Sequence, residues 1–248
     1  LLGPVFSASH IRKTLEHFFK IAPQGIPCWS FSNHDVIRHV SRWAAHGSSP
    51  EALAKQTAAL LLSLEGSICL FQGEELGQLE TEMEFSELTD PFGIRFWPEN
   101  KGRDGCRTPM SWDSNLENAG FSEADPWLPV KNPQLERAVE QQKNKDSVLS
   151  FYREMLKFRK NSSALSEGRT VFYDSDEPVL SFSRKSDDQN LVCVFNLSKE
   201  EVSLQIEGLK DINNHPLLHA KADGEVLSLG PNGFCFFFGD LDKDIVIQ

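Results

Sequence analysis

The sequence is poor in cysteine, has no long apolar run and carries no excess of basic charge. Its five cysteines among 248 residues, Cys28, Cys69, Cys106, Cys193 and Cys235, form an odd set with no pair at metal-ligand spacing. That argues against both a disulfide scaffold and a zinc site. Cys28, Cys69 and Cys193 sit in apolar, strand-like runs, so they are expected to be buried free thiols of a reducing compartment. His10, His17, His39, His46, His215 and His219 show no metal-like spacing either. Asp240, Asp242 and Asp244 alternate near the C-terminus without the glycine a calcium loop requires, and read as a solvated tail. No metal or cofactor is expected. The best apolar stretch, residues 58–64, is far shorter than a membrane span. With no basic leader or signal-like core, a cytoplasmic address is expected. Yet the chain begins at Leu1 and reads like the middle of a longer polypeptide. A net charge of −11 and a pI near 5.1 lack the basic patch that nucleic acid needs and disfavour anionic membranes. Neither partner is expected, and the oligomeric state stays open.

What is present is an ordinary core-forming composition, 40% hydrophobic. Ile11, Leu15, Phe18 and Phe19 fall on one face of a helix predicted over residues 9–20. Residues 26–31 form a short continuous apolar run, as expected of a strand buried on both faces. A second helix starts at Ser48-Ser49-Pro50-Glu51, either as a Ser48–Glu51 capping box or with Ser49 capping and Pro50 in the first turn. Gly66 ends it, and residues 67–71 make another strand. Helix, strand, helix, strand implies a parallel sheet with crossover helices. Residues 72–133 lack periodicity but are rich in Gly, Pro, Asp and Trp, which suggests a long ordered loop on the face where strands end. Another helix spans 146–160. Beyond it, short strands are predicted at 170–173, 179–183, 191–195, 202–206, 225–229 and 234–238, separated by turn residues. Such even spacing suggests an antiparallel sandwich.

Two segments carry the chemistry. The run 26–31 delivers Phe31-Ser32-Asn33-His34-Asp35 at a strand end. Alone, this is a polar turn. The second segment is Arg103-Asp104-Gly105-Cys106-Arg107-Thr108-Pro109-Met110-Ser111-Trp112-Asp113. Together they resemble the α-glucosidase branch of the α-amylase family, glycoside hydrolase family thirteen. Residues 66–77, from Gly66-Ser67-Ile68 to Gln72-Gly73-Glu74-Glu75-Leu76-Gly77, look like that family's eighth barrel strand and its loop. Asp90-Pro91-Phe92-Gly93-Ile94 through Arg107-Thr108-Pro109-Met110 is similar to bacterial α-glucosidases. The resemblance runs from about Gly3 to Phe238.

It implies an α/β fold: residues 1–165 as the C-terminal part of a (β/α)8 barrel, with 72–133 as an active-site loop, and residues 166–248 as an antiparallel β-sandwich. It also implies a retaining α-glucosidase that removes terminal α-linked glucose from short oligosaccharides. Such enzymes use two carboxyl groups about 5–5.5 Å apart. The family's nucleophile and acid come from earlier strands, and neither motif precedes His34. The 248 residues alone are therefore expected to be inactive. A substitute pair of Asp35 with Glu74 or Glu75 is less favoured than loop anchoring by the two glutamates.

By resemblance, Asp35 is the carboxylate that binds the C2 and C3 hydroxyls and stabilises the oxocarbenium-like transition state. His34 donates to the same sugar. Arg107, or failing that Arg103, reaches the closed end of the pocket; ion pairs with Asp104 or Asp113 are the plain alternative. Asn33 is a substrate-binding candidate whose favoured part is fixing the loop. Phe96, Trp97 and Trp112 offer aromatic faces, though core packing is at least as good a reading. The rivals are a non-catalytic relative of the family, which intact Asn33-His34-Asp35 disfavours; a carbohydrate-binding module, which the absence of Trp between Val171 and Phe238 disfavours; and a structural fragment whose incomplete barrel leaves an open sheet edge.

Overall fold

In the computed structural model, residues 1–207, 209, 219–241 and 245–247 are described. His215, Asp242 and Asp244 lie outside them. The first helix, α1, spans Ala8–Ile21, with the Ser7 hydroxyl accepting from the His10 amide and Ile11 and Leu15 buried. Strand β1 is only Cys28–Trp29. After the short helix α2 (His39–Arg42) comes α3 (Pro50–Ser63), where Ser49 rather than Ser48 is the cap: its hydroxyl accepts from the Ala52 amide, and Pro50 opens the first turn. Strand β2, Ser67–Ile68, pairs parallel with β1, Cys28 opposite Ser67 and Trp29 opposite Ile68.

Neither strand is the fully buried run that was expected. Ile26 is 80% exposed, and both Cys28 and Cys69 are exposed. The reason is the pleat: Trp29 faces the helices, and Cys28 and Cys69 face the other side, which the described residues leave open. The remaining thiols, Cys106, Cys193 and Cys235, are buried and free.

Residues 72–133 are a chain of single turns, at Glu74–Leu76, Phe85–Glu87, Asp104–Cys106 and Glu117–Gly120, interrupted by α4 (Pro91–Phe96) and followed by α5 (Asn132–Leu135). Trp97 packs against Phe85 and the small cluster of Met83, Leu88 and Leu128. Helix α6 (Val148–Asn161) lies against α3, and the one-turn α7 (Ser163–Ser166) leads out of it.

The rest is antiparallel. Strands β3 (Arg169–Phe172), β4 (Val179–Lys185), β5 (Asn190–Asn196) and β9 (Phe234–Phe238) form one sheet in that order. Strands β6 (Val202–Gln205), β8 (Val226–Leu229) and β7 (Lys221–Asp223) form a second; β7 carries no strand signal in the sequence. The four-stranded sheet is covered on both faces. Leu180, Phe182, Cys193, Phe195, Phe234 and Phe236 point into the main core with α3 and α6. Val192, Val194, Cys235 and Phe237 point into a second core with Ile206, Leu227 and Leu229. That double burial is why β5 and β9 read as unbroken apolar runs.

Candidate active site

The turn after β1 is tied down from below. The Arg42 guanidinium donates to the carbonyls of Phe31 and Ile37, and through Nε to that of Gly3 at 3.1 Å. Burial lowers the pKa of Arg42 to about 10, which leaves it charged. Arg38 is buried; it donates to the Gln72 carbonyl at 2.6 Å and side chain at 2.9 Å, and to the Cys106 carbonyl at 3.0 Å. It thereby links the turns after both strands to the 103–107 segment. Its own amide is held by Glu80 at 2.9 Å, and burial pushes Glu80 up to about 7.

Above these clamps sit Asn33, His34 and Asp35. The Asn33 side-chain oxygen, Oδ1, accepts from the Asp35 amide at 2.8 Å, so Asn33 shapes the turn. Asp35 Oδ1 accepts from Arg103 Nη1 at 3.1 Å and Arg107 Nη2 at 3.0 Å, and His34 Nε2 lies 3.4 Å from Oδ2. Arg107 also donates from Nε to the His34 carbonyl at 2.7 Å. The structure thus brings all five sequence-predicted residues together, but the ion pairs considered for the arginines do not form: neither Arg103 nor Arg107 bonds Asp104 or Asp113. Hydrogen bonding from Arg103, with help from His34 and Arg107, holds the Asp35 carboxyl below its ordinary range. The salt link does not bury it: half of the Asp35 side chain stays exposed, and it lines a cleft of about 590 Å³ with Val36, Ile37, Glu80, Phe92 and Arg103.

Arg103 is aimed by a second carboxylate. Asp90 caps α4 through the Phe92 amide and accepts from Arg103 at its amide, Nε and Nη2, at 2.8–3.1 Å. Asp90 is itself fixed by buried Asp104, which accepts from the amides of Asp90 and Thr89. The order of support is Asp104, Asp90, Arg103, Asp35. Sequence reasoning missed Asp90, Glu80, Phe92 and the Arg38 and Arg42 clamps. Asp90-Pro91 was readable as a helix start, but nothing in the chain order reveals its partner. Trp97 and Trp112 do not line the cleft; the aromatic that does is Phe92.

Glu74 and Glu75 part company. Glu75 anchors its loop by accepting from the Gly73 amide at 2.9 Å. Glu74 is buried under the rim, and neither carboxyl oxygen has a hydrogen-bond partner. Neither lines the cleft, so neither makes a pair with Asp35 there.

A parallel strand–helix unit with a carboxylate at its strand-end rim and an appended antiparallel sandwich is the class of the α/β-barrel proteins. The alpha-amylase catalytic-domain family matches residues 4–168, and the chain belongs to that family. It is 44% identical over 219 residues to a probable alpha-glucosidase of Rhizobium meliloti, covering 87% of this chain and 40% of that protein. It is 31% identical to the oligo-1,6-glucosidase of Heyndrickxia coagulans, covering 75% of this chain and 37% of that one. The solved alpha-glucosyl transfer enzyme XgtA superposes with a TM-score of 0.90 at 42% identity, over 96% of this chain and 45% of that one. The chain therefore spans less than half the length of the relatives it matches. No helix among the described residues is long and apolar enough to cross a membrane.

Proposed function

We propose that the chain supplies the glucose-gripping rim of a retaining α-glucosidase acting on terminal α-linked glucose in short oligosaccharides, with nucleophile and general acid carried by segments outside these 248 residues. The observation that carries this is the Asp35 carboxylate. It is ionised, half exposed and lines the cleft, and it is held on one oxygen by two arginines, which leaves Oδ2 beside His34 Nε2 at 3.4 Å. A fixed negative charge there accepts from vicinal hydroxyls, and its attraction grows as the ring gains positive charge. His34 donates to the same sugar and Arg107 closes the pocket beside it. The relatives' names point the same way: a probable alpha-glucosidase and an oligo-1,6-glucosidase. Alpha-glucosyl transfer, the activity named for XgtA, is the same chemistry with another acceptor in place of water.

The test is a chimera in which the part of the Rhizobium meliloti relative that precedes its matched stretch is joined to this chain. The chimera is expected to turn over short α-glucosides, and the 248-residue chain alone is not. Asp35→Asn in the chimera is expected to lower kcat/KM by roughly 10²-fold or more, mainly through kcat. Activity in the isolated chain, or a chimera indifferent to Asp35→Asn, overturns the reading.

A further inference from the structure

Beneath the rim lies a closed polar cluster that does not line the cleft. Ser32, His39, Thr57 and Glu74 are each no more than 2% exposed. Thr57 Oγ1 gives its hydrogen to the Leu53 carbonyl at 2.7 Å, so toward His39 Nε2, at 2.9 Å, it accepts. The His39 proton is thereby on Nε2, and Nδ1 presents a lone pair. Ser32 Oγ stands 3.0 Å from that Nδ1 and also accepts from the His39 amide at 2.9 Å. Ser32 therefore staples residue 32 to residue 39, and the segment between them carries Asn33, His34 and Asp35. Glu74 Oε1 lies 3.9 Å from the same Nδ1, and both Glu74 oxygens are buried without a partner.

A bare carboxylate is not stable in such a place; a carboxylic acid is. The Ser32 hydroxyl has one hydrogen. With Glu74 neutral, that hydrogen serves His39 Nδ1. With Glu74 ionised, Glu74 is the stronger acceptor and claims it, and the ring side of the staple is lost. We propose that Glu74 is a positioning residue for Asp35: as a neutral acid it leaves the Ser32–His39 staple intact, and as a carboxylate it takes the Ser32 hydroxyl and loosens the turn that carries Asp35. The catalytic consequence rests on the function proposed above; the protonation state does not.

The surrounding groups set where this happens. Burial pushes Glu74 up to about 8, opposed first by the Ser32 hydroxyl, which favours the carboxylate it can reach, then by the Phe71 backbone and Arg38, and aided by Glu75 on its own turn. From the rim and α2, His39 is pushed down to about 3 by burial, with Arg42 and Arg38 adding to the effect, so it stays neutral throughout. From α6, buried Tyr152 is raised well above its usual range and does not titrate either. Glu80, which titrates near 7, shares Arg38 and Arg42 with Glu74. The geometry thus leaves Glu74 as the group whose ionisation breaks the staple.

The first test is independent of activity. Carbon-13 NMR of the folded 248-residue chain with labelled glutamate is expected to show two carboxyls titrating far above the rest, one near 7 and one near 8. Glu74→Gln removes the higher. Should that variant not fold, Glu80→Gln removes the lower and assigns the other by elimination. A Glu74 midpoint in the ordinary range near ~4.3 overturns the proposal. The second test is the pH profile of the chimera. Its kcat/KM is expected to fall along an alkaline limb to which a group with a midpoint near 8 contributes, and in Glu74→Gln that contribution is expected to vanish, leaving the limb of the general acid alone. An unchanged limb in Glu74→Gln overturns the proposal. An inactive chimera counts against the proposed function, and the carboxyl titration then decides this one.

Discussion

Single carboxylates in this molecule are assigned their work by burial and partners. Asp35 and Asp90 share Arg103, yet Asp35 is half exposed and Asp90 has a fully buried side chain. One is free to meet a ligand; the other can only hold the arm that reaches Asp35. Arg103 also holds the Asp90 pKa well below the usual carboxylate range. Its stabilising effect is therefore fully present above the unfolded value near ~3.9 and fades as pH falls through the lower folded value. Asp90→Asn is expected to cost about 1.5–3 kcal/mol at pH 7, since charge-assisted bonds to Arg103 become weak or unmade. Denaturant unfolding checks this: the gap between parent and variant should shrink as the pH is lowered toward 3. The same variant should slow the chimera, because Arg103 loses its aim on Asp35.

At the scale of elements, the two parallel strands are only two residues each, and their register rests on close backbone approach. Gly66 leads into β2 at φ +109, and a Cβ there would stand 2.6 Å from Pro27 Cγ and 2.7 Å from the Pro27 carbonyl oxygen. That carbonyl accepts from the Ser67 amide at 2.8 Å. Gly66→Ala therefore forces both a strained dihedral and a clash, and is expected to destabilise by about 2 kcal/mol or more. Gly224, at φ +59 in the β7–β8 turn, has open space around it, so Gly224→Ala isolates the dihedral cost at about 1 kcal/mol. Thermal unfolding of the two variants beside the parent separates strain from collision. Strands β4, β5 and β9 behave differently: longer and doubly covered, they hold register through packing, with Phe182, Cys193 and Phe236 in one cross-strand row.

For the whole molecule, the question is what welds the strand–helix unit to the sandwich. Arg184, about 1% exposed on β4, donates to the Ser63 carbonyl at the end of α3 and to the Gly168 carbonyl, each at 2.7 Å. Burial lowers its pKa to about 10, so it spans the seam as a cation. Gln56 on α3 donates to the Asn196 carbonyl at 2.5 Å, and Asn232 reaches back to the His46 carbonyl at 2.9 Å. Because the seam is part of the main core, unfolding is expected to be a single transition. Arg184→Met strands two buried carbonyls and is expected to lower stability by about 3 kcal/mol without splitting that transition. Urea curves followed by fluorescence and by circular dichroism check both statements; two non-coincident transitions in the parent would show the halves to be independent.

Local order in the chain was enough for the three long helices, for the parallel pair and for all but one of the strands beyond α7, but not for the short helices α2, α4, α5 and α7, and the two contiguous motifs carrying Asn33, His34, Asp35, Arg103 and Arg107 were joined in one site by their resemblance to a family. Those signals are periodicity, caps and contiguous motifs, which the backbone obeys within a few residues. The identity of the partners was not contained there. Arg103 meets Asp35 and Asp90, Arg38 meets Gln72 and Cys106, and Glu74 meets His39, because the chain folds back across tens of residues, and charge pairing has no sequence period. Burial was likewise decided only in three dimensions. Cys28 and Cys69 are as apolar in context as Cys193, but they face the open side of a two-stranded sheet, whereas Cys193 lies in a sheet covered on both faces.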